Sequence, residues 1–295
     1  MITNTIYTDG FGENFKFIIY TIIYAEFLNK EFHYTPLNFN IEHNYDNDKE
    51  FINKKEKLIS IINYYPIIQP NNKYIRPDRF TLMYFFENNV DFCVNSKSLK
   101  KIKYIFREVN QNKFDKSFLN IAIHIRRMNI LDIQKNINFK QIPGTDVPNN
   151  IYTEIITQLK NIYKNCKIHV YSQGDKKNFI FDDHKIELHL NESIETTFIS
   201  FVLADVLIIA PSSFSYSAGL LSDGIVYYIH SCHKPLSSWN PIINYKSTKD
   251  RYNFFITNSY GIKLEIYYDT VTGHFYKETD GKVREYINIF DYLQS

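Results

Sequence analysis

Between Phe118 and His230 the chain alternates strand-length apolar runs with segments of helical period, and this alternation restricts its fold more than any other feature. The run Phe118 to Arg126 puts Ile121, Ile123 and Ile125 on one face of a strand and Ala122 and His124 on the other. A loop from Asn138 to Asn150, with Pro143-Gly144 and Pro148, leads to Ile151, Ile155, Ile156, Leu159 and Ile162 at helical spacing. Strands are then expected over Lys167 to Ser172 and Lys185 to Leu190. Asn191 reads as the cap of the next helix, with Glu192 and Glu195 in its first turn, where the helix dipole favours anions. Ile194, Phe198, Phe201 and Val202 form that helix's buried stripe. Val206 to Ala210 is wholly apolar, as a strand of a parallel sheet covered on both faces should be. A helix from Ser212 and a strand from Ile225 to His230 complete the order β-α-β-β-α-β-α-β, which predicts a Rossmann-like sheet.

The flanks differ. Ile2 to Thr8 reads as a strand, Asp9-Gly10-Phe11-Gly12 as a turn, and Phe15 to Leu28 as a helix, the opening of a βα unit. That helix carries Lys16 and Glu26, is too short to span a bilayer, and lacks the basic start and cleavage site of a signal peptide. A buried helix in a cytoplasmic protein without a membrane span is therefore expected. Tyr84 to Val94 and Leu99 to Phe106 are further elements of this first part, and the polar stretch Asn110 to Lys116 marks a boundary. Near the end, Thr272-Gly273 and Asp280-Gly281 are hairpin signals between strand-like runs. The division expected is an N-terminal domain over 1–112, a second domain over 117–245, and a small antiparallel appendage over 246–295.

Composition excludes several classes. Net charge is +2, from 34 basic and 32 acidic residues, without the basic stripe of a nucleic-acid-binding protein. Lys97 to Lys103 reads as a solvated helix face. The 24 Tyr and 24 Phe accompany an excess of Asn, Ile and Lys, a bias of A/T-rich codons rather than evidence of stacking surfaces. Cys93, Cys166 and Cys232 form no CxxC pair, which argues against a disulfide framework or a structural zinc site and for a reducing compartment.

Three segments carry chemistry. Arg126 and Arg127 end a buried strand, at the edge where open α/β sheets bind ligands, and guanidinium forks suit phosphate oxygens. His124 shares a face with Arg126. Ser212, Ser213, Phe214 and Ser215 start a helix after an apolar strand, where hydroxyls and backbone N–H groups favour an anion. Gly10 and Gly12 flank the N-terminal turn, followed by Glu13 and Asn14.

In this order the segments resemble the motifs of the fucosyltransferase superfamily, most closely the α-1,2-fucosyltransferases, whose set is shared by α-1,6 and protein O-fucosyltransferases. Gly10 and Gly12 match a Gly-Gly-Leu-Gly-Asn-Gln motif, with Glu13 and Asn14 in place of Asn and Gln. His124, Arg126 and Arg127 match His-x-Arg-Arg-Gly-Asp, with Met128 and Asn129 replacing Gly-Asp. Ser172 and Asp175 echo a Phe-Ser-Asp-Asp segment, and Ser212-Ser213-Phe214-Ser215 keeps the last motif. The resemblance implies an α/β, GT-B-like fold: two Rossmann-like domains facing a cleft. It further implies an inverting transfer of a sugar, usually fucose from GDP-fucose, to a glycan hydroxyl, with Arg126 bridging the pyrophosphate and the departing oxygen. No metal or other cofactor is expected, since an arginine pair supplies the positive charge; Asp182-Asp183 is not an Asp-x-Asp metal motif. Glu13 and Asp175 are candidates for the general base. The departures leave room for another nucleotide sugar, or for a non-catalytic nucleotide- or glycan-binding protein.

Overall fold

The computed structural model describes residues 1–38, 41, 48–111, 113–127, 147, 149–179, 181, 186–229 and 234–242 in full, and strands between 251 and 286 by backbone alone. Met128, Asn129, Asp182, Asp183, Cys232 and most of the 138–150 loop lie outside these residues.

The dominant element is a six-stranded parallel sheet made of β3 (Leu119–His124), β4 (Cys166–Ser172), β5 (Ile186–Leu190), β6 (Val206–Ile209), β7 (Ile225–Tyr228) and β8 (Asn240–Pro241). Its spatial order is β5-β4-β3-β6-β7-β8. The sheet thus grows outward from β3 in one direction, then restarts beside β3 with β6 and grows the other way. That reversal is the topological switch point of a doubly wound sheet.

Strand alternation loads both faces. Ile121, Ile123, Ile168, Val170, Val206 and Ile208 pack with Tyr152, Ile155, Ile156 and Leu159 of α6 (Asn149–Ile162) on one side. Ala122, Tyr171, Leu207 and Ile209 face the other side, against α7 (Ile194–Leu203) and α8 (Ser213–Leu221). Burial of each such aliphatic side chain contributes about 1.5–3 kcal/mol.

The N-terminal part is built around α1 (Phe11–Phe27), which is apolar around nearly its whole circumference and accordingly buried. β1 (Ile2–Thr3) and β2 (Phe32–His33) form a two-stranded parallel sheet beside it, shorter than the Ile2 to Thr8 strand expected. The chain makes its turn at Ile6 to Gly10 instead, where Asn14 holds it closed. Four more helices follow, α2 (Lys49–Ile59), α3 (Arg79–Asn88), α4 (Val90–Asn95) and α5 (Lys97–Val109); α3 and α5 pack on α1, α2 packs on α5, and α4 packs on α3 and α5. The Lys-rich run lies on α5, whose Leu99, Ile102, Ile105 and Phe106 are buried. One apolar cluster runs from Ile2 through α1 to Phe198, Leu207 and Trp239, so the N-terminal helices and one face of the large sheet share a core.

α7 is capped by Ser193, whose hydroxyl accepts Thr196 N–H, and not by Asn191. Asn191 takes a positive φ of 57° and closes onto Gly174 through two hydrogen bonds. Cys93 and Cys166 are both buried. Among the backbone-only residues, β9 (Arg251–Thr257), β10 (Lys263–Asp269), β11 (His274–Thr279) and β12 (Val283–Tyr286) pair antiparallel in sequence order.

Candidate active site

Strand β3 ends at His124, and the chain leaves the sheet through Ile125, Arg126 and Arg127 at the carboxyl edge. Ile125 is still held there: its N–H donates to Tyr171 O at 2.9 Å and its carbonyl accepts the Ser172 hydroxyl at 2.7 Å. Arg126 is thus fixed to a rigid strand end by its neighbour on the β4 side. Arg127 donates to Arg126 O at 2.8 Å and to the side chain of Asn149 at the start of α6, and its guanidinium lies 5.9 Å from the Phe179 ring. These contacts orient Arg127 across the α6 N-terminus, while Arg126, half-buried, sits at the switch point itself.

On the β6 side, Ala210 and Pro211 lead to Ser212, the N-cap of α8, whose hydroxyl accepts Phe214 N–H at 3.3 Å. Ser215, fully buried, shares a hydrogen bond of 2.8 Å with His124 Nδ1. The end of β3 is therefore joined by a side-chain hydrogen bond to the first turn of α8, the helix that follows β6. Phe214 packs edge-on against the His124 ring with centroids 6.0 Å apart and continues into Phe11, Phe198 and Phe201. Burial, reinforced by the charges of Arg126 and Arg127, lowers the His124 pKa to about 3. The imidazole is neutral near pH 7 and adds no charge of its own.

The N-terminal turn arrives at the same place. A Cβ built on Gly12 would stand 2.4 Å from Phe214 Cα and 2.6 Å from Phe214 N, so the first turns of α1 and α8 meet backbone to backbone. Only glycine permits that approach. Ser217 Oγ donates to Gly12 O at 2.6 Å and to Ser213 O at 2.7 Å, tying the two turns. Two helix N-termini then converge, with their partial positive charges together. Glu13 supplies a compensating carboxylate: its Oε2 accepts the Ser213 hydroxyl and, at 2.8 Å, the ammonium of Lys16, itself 1% exposed. Gly10 is the N-cap of α1 and has no side chain to cap with. Asn14 closes the turn: its Oδ1 accepts Tyr7 N–H at 2.8 Å, and its amide donates to the carbonyls of Tyr7, Asp9 and Gly10.

The structure thus brings Gly12, Glu13, His124, Arg126, Ser213, Phe214 and Ser215 to one edge of the sheet, while Asn14 works as an internal clamp. Asp175 lies elsewhere on that edge, exposed in the loop after β4 and paired with Lys177 at 3.1 Å. Sequence reasoning missed Lys16 and Ser217. The spacing of Glu13 and Lys16, three apart in an otherwise apolar helix, was the available signal.

No protein-family model matches the chain, and no curated protein matches it. Among solved structures, the fucosyltransferase NodZ from Bradyrhizobium is similar over 75% of this chain and 93% of its own, at 11% identity and a TM-score of 0.36. The Escherichia coli heptosyltransferase WaaC with ADP is similar over 81% and 94%, at 9% identity and a TM-score of 0.37. A family 9 glycosyltransferase from Veillonella parvula is similar over 84% and 88%, at 8% identity and a TM-score of 0.39.

Proposed function

We propose that the chain is a glycosyltransferase that holds the diphosphate of a nucleotide sugar at the carboxyl edge of the large sheet, between β3 and β6. The observation that carries this reading is the position of Arg126: it follows β3 at the switch point, and the neighbouring strand β6 leads into the serine-capped start of α8. Open α/β sheets bind their ligands at that point, and a rigid guanidinium beside a helix N-terminus is built for phosphate oxygens.

The chemistry follows from charge. When the bond between the anomeric carbon and the phosphate oxygen breaks, its electron pair leaves with the diphosphate, and positive charge develops on the sugar. A guanidinium fixed at the departing oxygen stabilises that state more than the ground state, without reorganising. Arg127 extends the positive field toward α6. His124, neutral and hydrogen-bonded to Ser215, orients the β3 end rather than carrying protons.

In this reading the acceptor is a glycan hydroxyl, and its proton passes to solvent water as the new glycosidic bond forms on the face of the sugar opposite the departing diphosphate, with inversion. Glu13 acts as a brace: the Lys16 and Ser213 contacts to its Oε2 favour holding α1 against α8 over taking that proton. The donor is GDP-fucose, on the strength of the three motifs that the chain shares with fucosyltransferases. The transfer itself needs no metal, because the arginine pair and the helix N-terminus supply the positive charge.

The test is a panel of nucleotide sugars incubated with the full chain. Slow release of GDP from GDP-fucose, abolished in Arg126→Ala, is the expected result. Release from a UDP- or dTDP-sugar would keep the transferase reading and replace the donor. Saturable binding of GDP without turnover of any donor would leave a nucleotide-binding protein and sink the enzymatic reading.

A further inference from the structure

Away from the arginines, on the outer strands of the sheet, three potential metal ligands meet. His169 lies on β4 directly across from Glu187 on β5, and His189 follows Glu187 by two residues on the same face. His169 Nδ1 is 3.2 Å from His189 Nε2 and 3.2 Å from Glu187 Oε2, and the last pair, His189 Nε2 and Glu187 Oε2, is 3.7 Å apart. Four-coordinate zinc, with bonds of about 2.0–2.2 Å to nitrogen and oxygen, separates neighbouring ligand atoms by about 3.3–3.5 Å. The observed edges, two of 3.2 Å and one of 3.7 Å, fall on either side of that range, within a few tenths of an ångström of it.

The hydrogen bonds behind the triangle decide where the ring protons are. Asn120, buried on β3, donates its side-chain amide to the carbonyls of Asp115 and Phe118, both at 2.9 Å. Its Oδ1 therefore faces His169 Nε2, at 3.1 Å, as an acceptor, and Nε2 must carry the proton. His189 Nδ1 lies 2.8 Å from the Glu192 carboxylate, so that nitrogen donates as well. With those donors assigned, His169 Nδ1 and His189 Nε2 turn toward each other and toward a carboxylate oxygen. Three electron-rich atoms in mutual contact repel unless a metal ion or a shared proton sits among them, and the experiment below separates the two. The second oxygen of Glu187 accepts from Lys167 at 2.6 Å, which leaves Oε2 to bind in one direction only.

We propose that His169, Glu187 and His189 form a site for one divalent transition-metal ion of the zinc class, with a solvent molecule as fourth ligand. Hydrogen-bonded acceptors behind both histidines are the outer shell such sites use to fix ring orientation and tautomer. Solvent can reach the fourth position, since the His189 side chain is 24% exposed and that of Glu187 45%. The ion would staple the edge strand β5 to β4. This site shares no residue with the proposed diphosphate site and stands or falls independently of it.

The experiment uses the full chain, stripped with a chelator and titrated calorimetrically with zinc chloride at neutral pH. One equivalent should bind, with the affinity lowered at least 100-fold in His189→Ala and about 10-fold in Glu192→Gln, which alters only a hydrogen bond behind the ligand. Cobalt(II) in place of zinc should give the strong visible bands of a four-coordinate site without a thiolate charge-transfer band. Thermal unfolding in chelator should be alike for wild type and both variants, and raised by zinc in the wild type. Absence of saturable binding, unchanged affinity in His189→Ala, or a thiolate band would overturn the proposal, the first leaving a proton-sharing His–Glu cluster.

Discussion

Gly12 and Phe214 stand so close that a single added carbon on the glycine would lie 2.4 Å from the phenylalanine Cα. The atom in the way is backbone, which cannot rotate aside as a side-chain tip can. The N-terminal helix and the helix after β6 are thereby fixed to each other at their first turns, and the switch point is fixed with them.

Gly12→Ala should therefore destabilise the protein by at least the 1–3 kcal/mol typical of overpacking. A melting temperature lowered by several degrees is expected. Ser217→Ala, which removes only the hydroxyl that bridges Gly12 O and Ser213 O, should cost about 1 kcal/mol. An alanine variant at Gly12 that melts with the wild type would show that the two helix starts are free to separate.

Arg126→Ala should lower donor turnover by about 10²–10³-fold, the scale for removing one preorganised donor to a developing anion. Its unfolding temperature without ligand should stay close to that of the wild type, because the strand end is held through the backbone of Ile125. Arg126→Lys should recover little, since a point charge lacks the planar fork. Retained turnover in the alanine variant would remove Arg126 from the reaction.

Much of this was legible because the large sheet writes itself in apolar runs. β3, β4, β6 and β7 lie where hydrophobic alternation puts them, and Val206 to Ile209 is apolar because both faces of β6 are covered. What escaped depends on contacts between distant residues. Asn191 looks like a helix cap locally, but its side chain is spent on Gly174, and Ser193 caps instead. β1 is only Ile2–Thr3 because its partners, Phe32, His33 and Ile75, are remote in the chain and pair over that length alone. Gly12 reads as a turn glycine, yet its φ is not among the positive ones; it is glycine because Phe214 approaches. The His169–Glu187–His189 triangle needs the β4–β5 register, which local pattern does not contain.

Lys16→Met tests the brace inside α1. The ammonium is almost fully enclosed and bonded to Glu13, so removing it leaves a carboxylate without that partner beside two helix starts. Breaking a buried pair by deleting one member costs about 3–5 kcal/mol, which denaturant unfolding can measure. Adding Glu13→Gln should recover part of that loss, because the neutral amide no longer needs the cation. If Glu13→Gln alone abolished turnover while leaving stability intact, Glu13 would be the proton acceptor and not a brace.

His124 makes a prediction about pH. Its pKa falls from the ordinary 6.5 to about 3 in the folded protein, through burial and then the two arginines. The unfolded chain binds the proton more readily, so this residue's contribution is complete above about pH 6.5 and is lost as pH falls toward 3. The slope it adds cannot exceed about 1.4 kcal/mol per pH unit. Other groups titrate in the same range, so the measurement is a difference: wild type minus His124→Gln, by denaturant unfolding at several pH values from 7 to 4. The variant should lose stability less steeply on acidification, and turnover in the wild type should show no inflection near pH 6.5 from this residue. Equal slopes in the two proteins would mean that His124 titrates normally and is open to solvent, and the hydrogen bond to Ser215 would then not hold the β3 end to the first turn of α8.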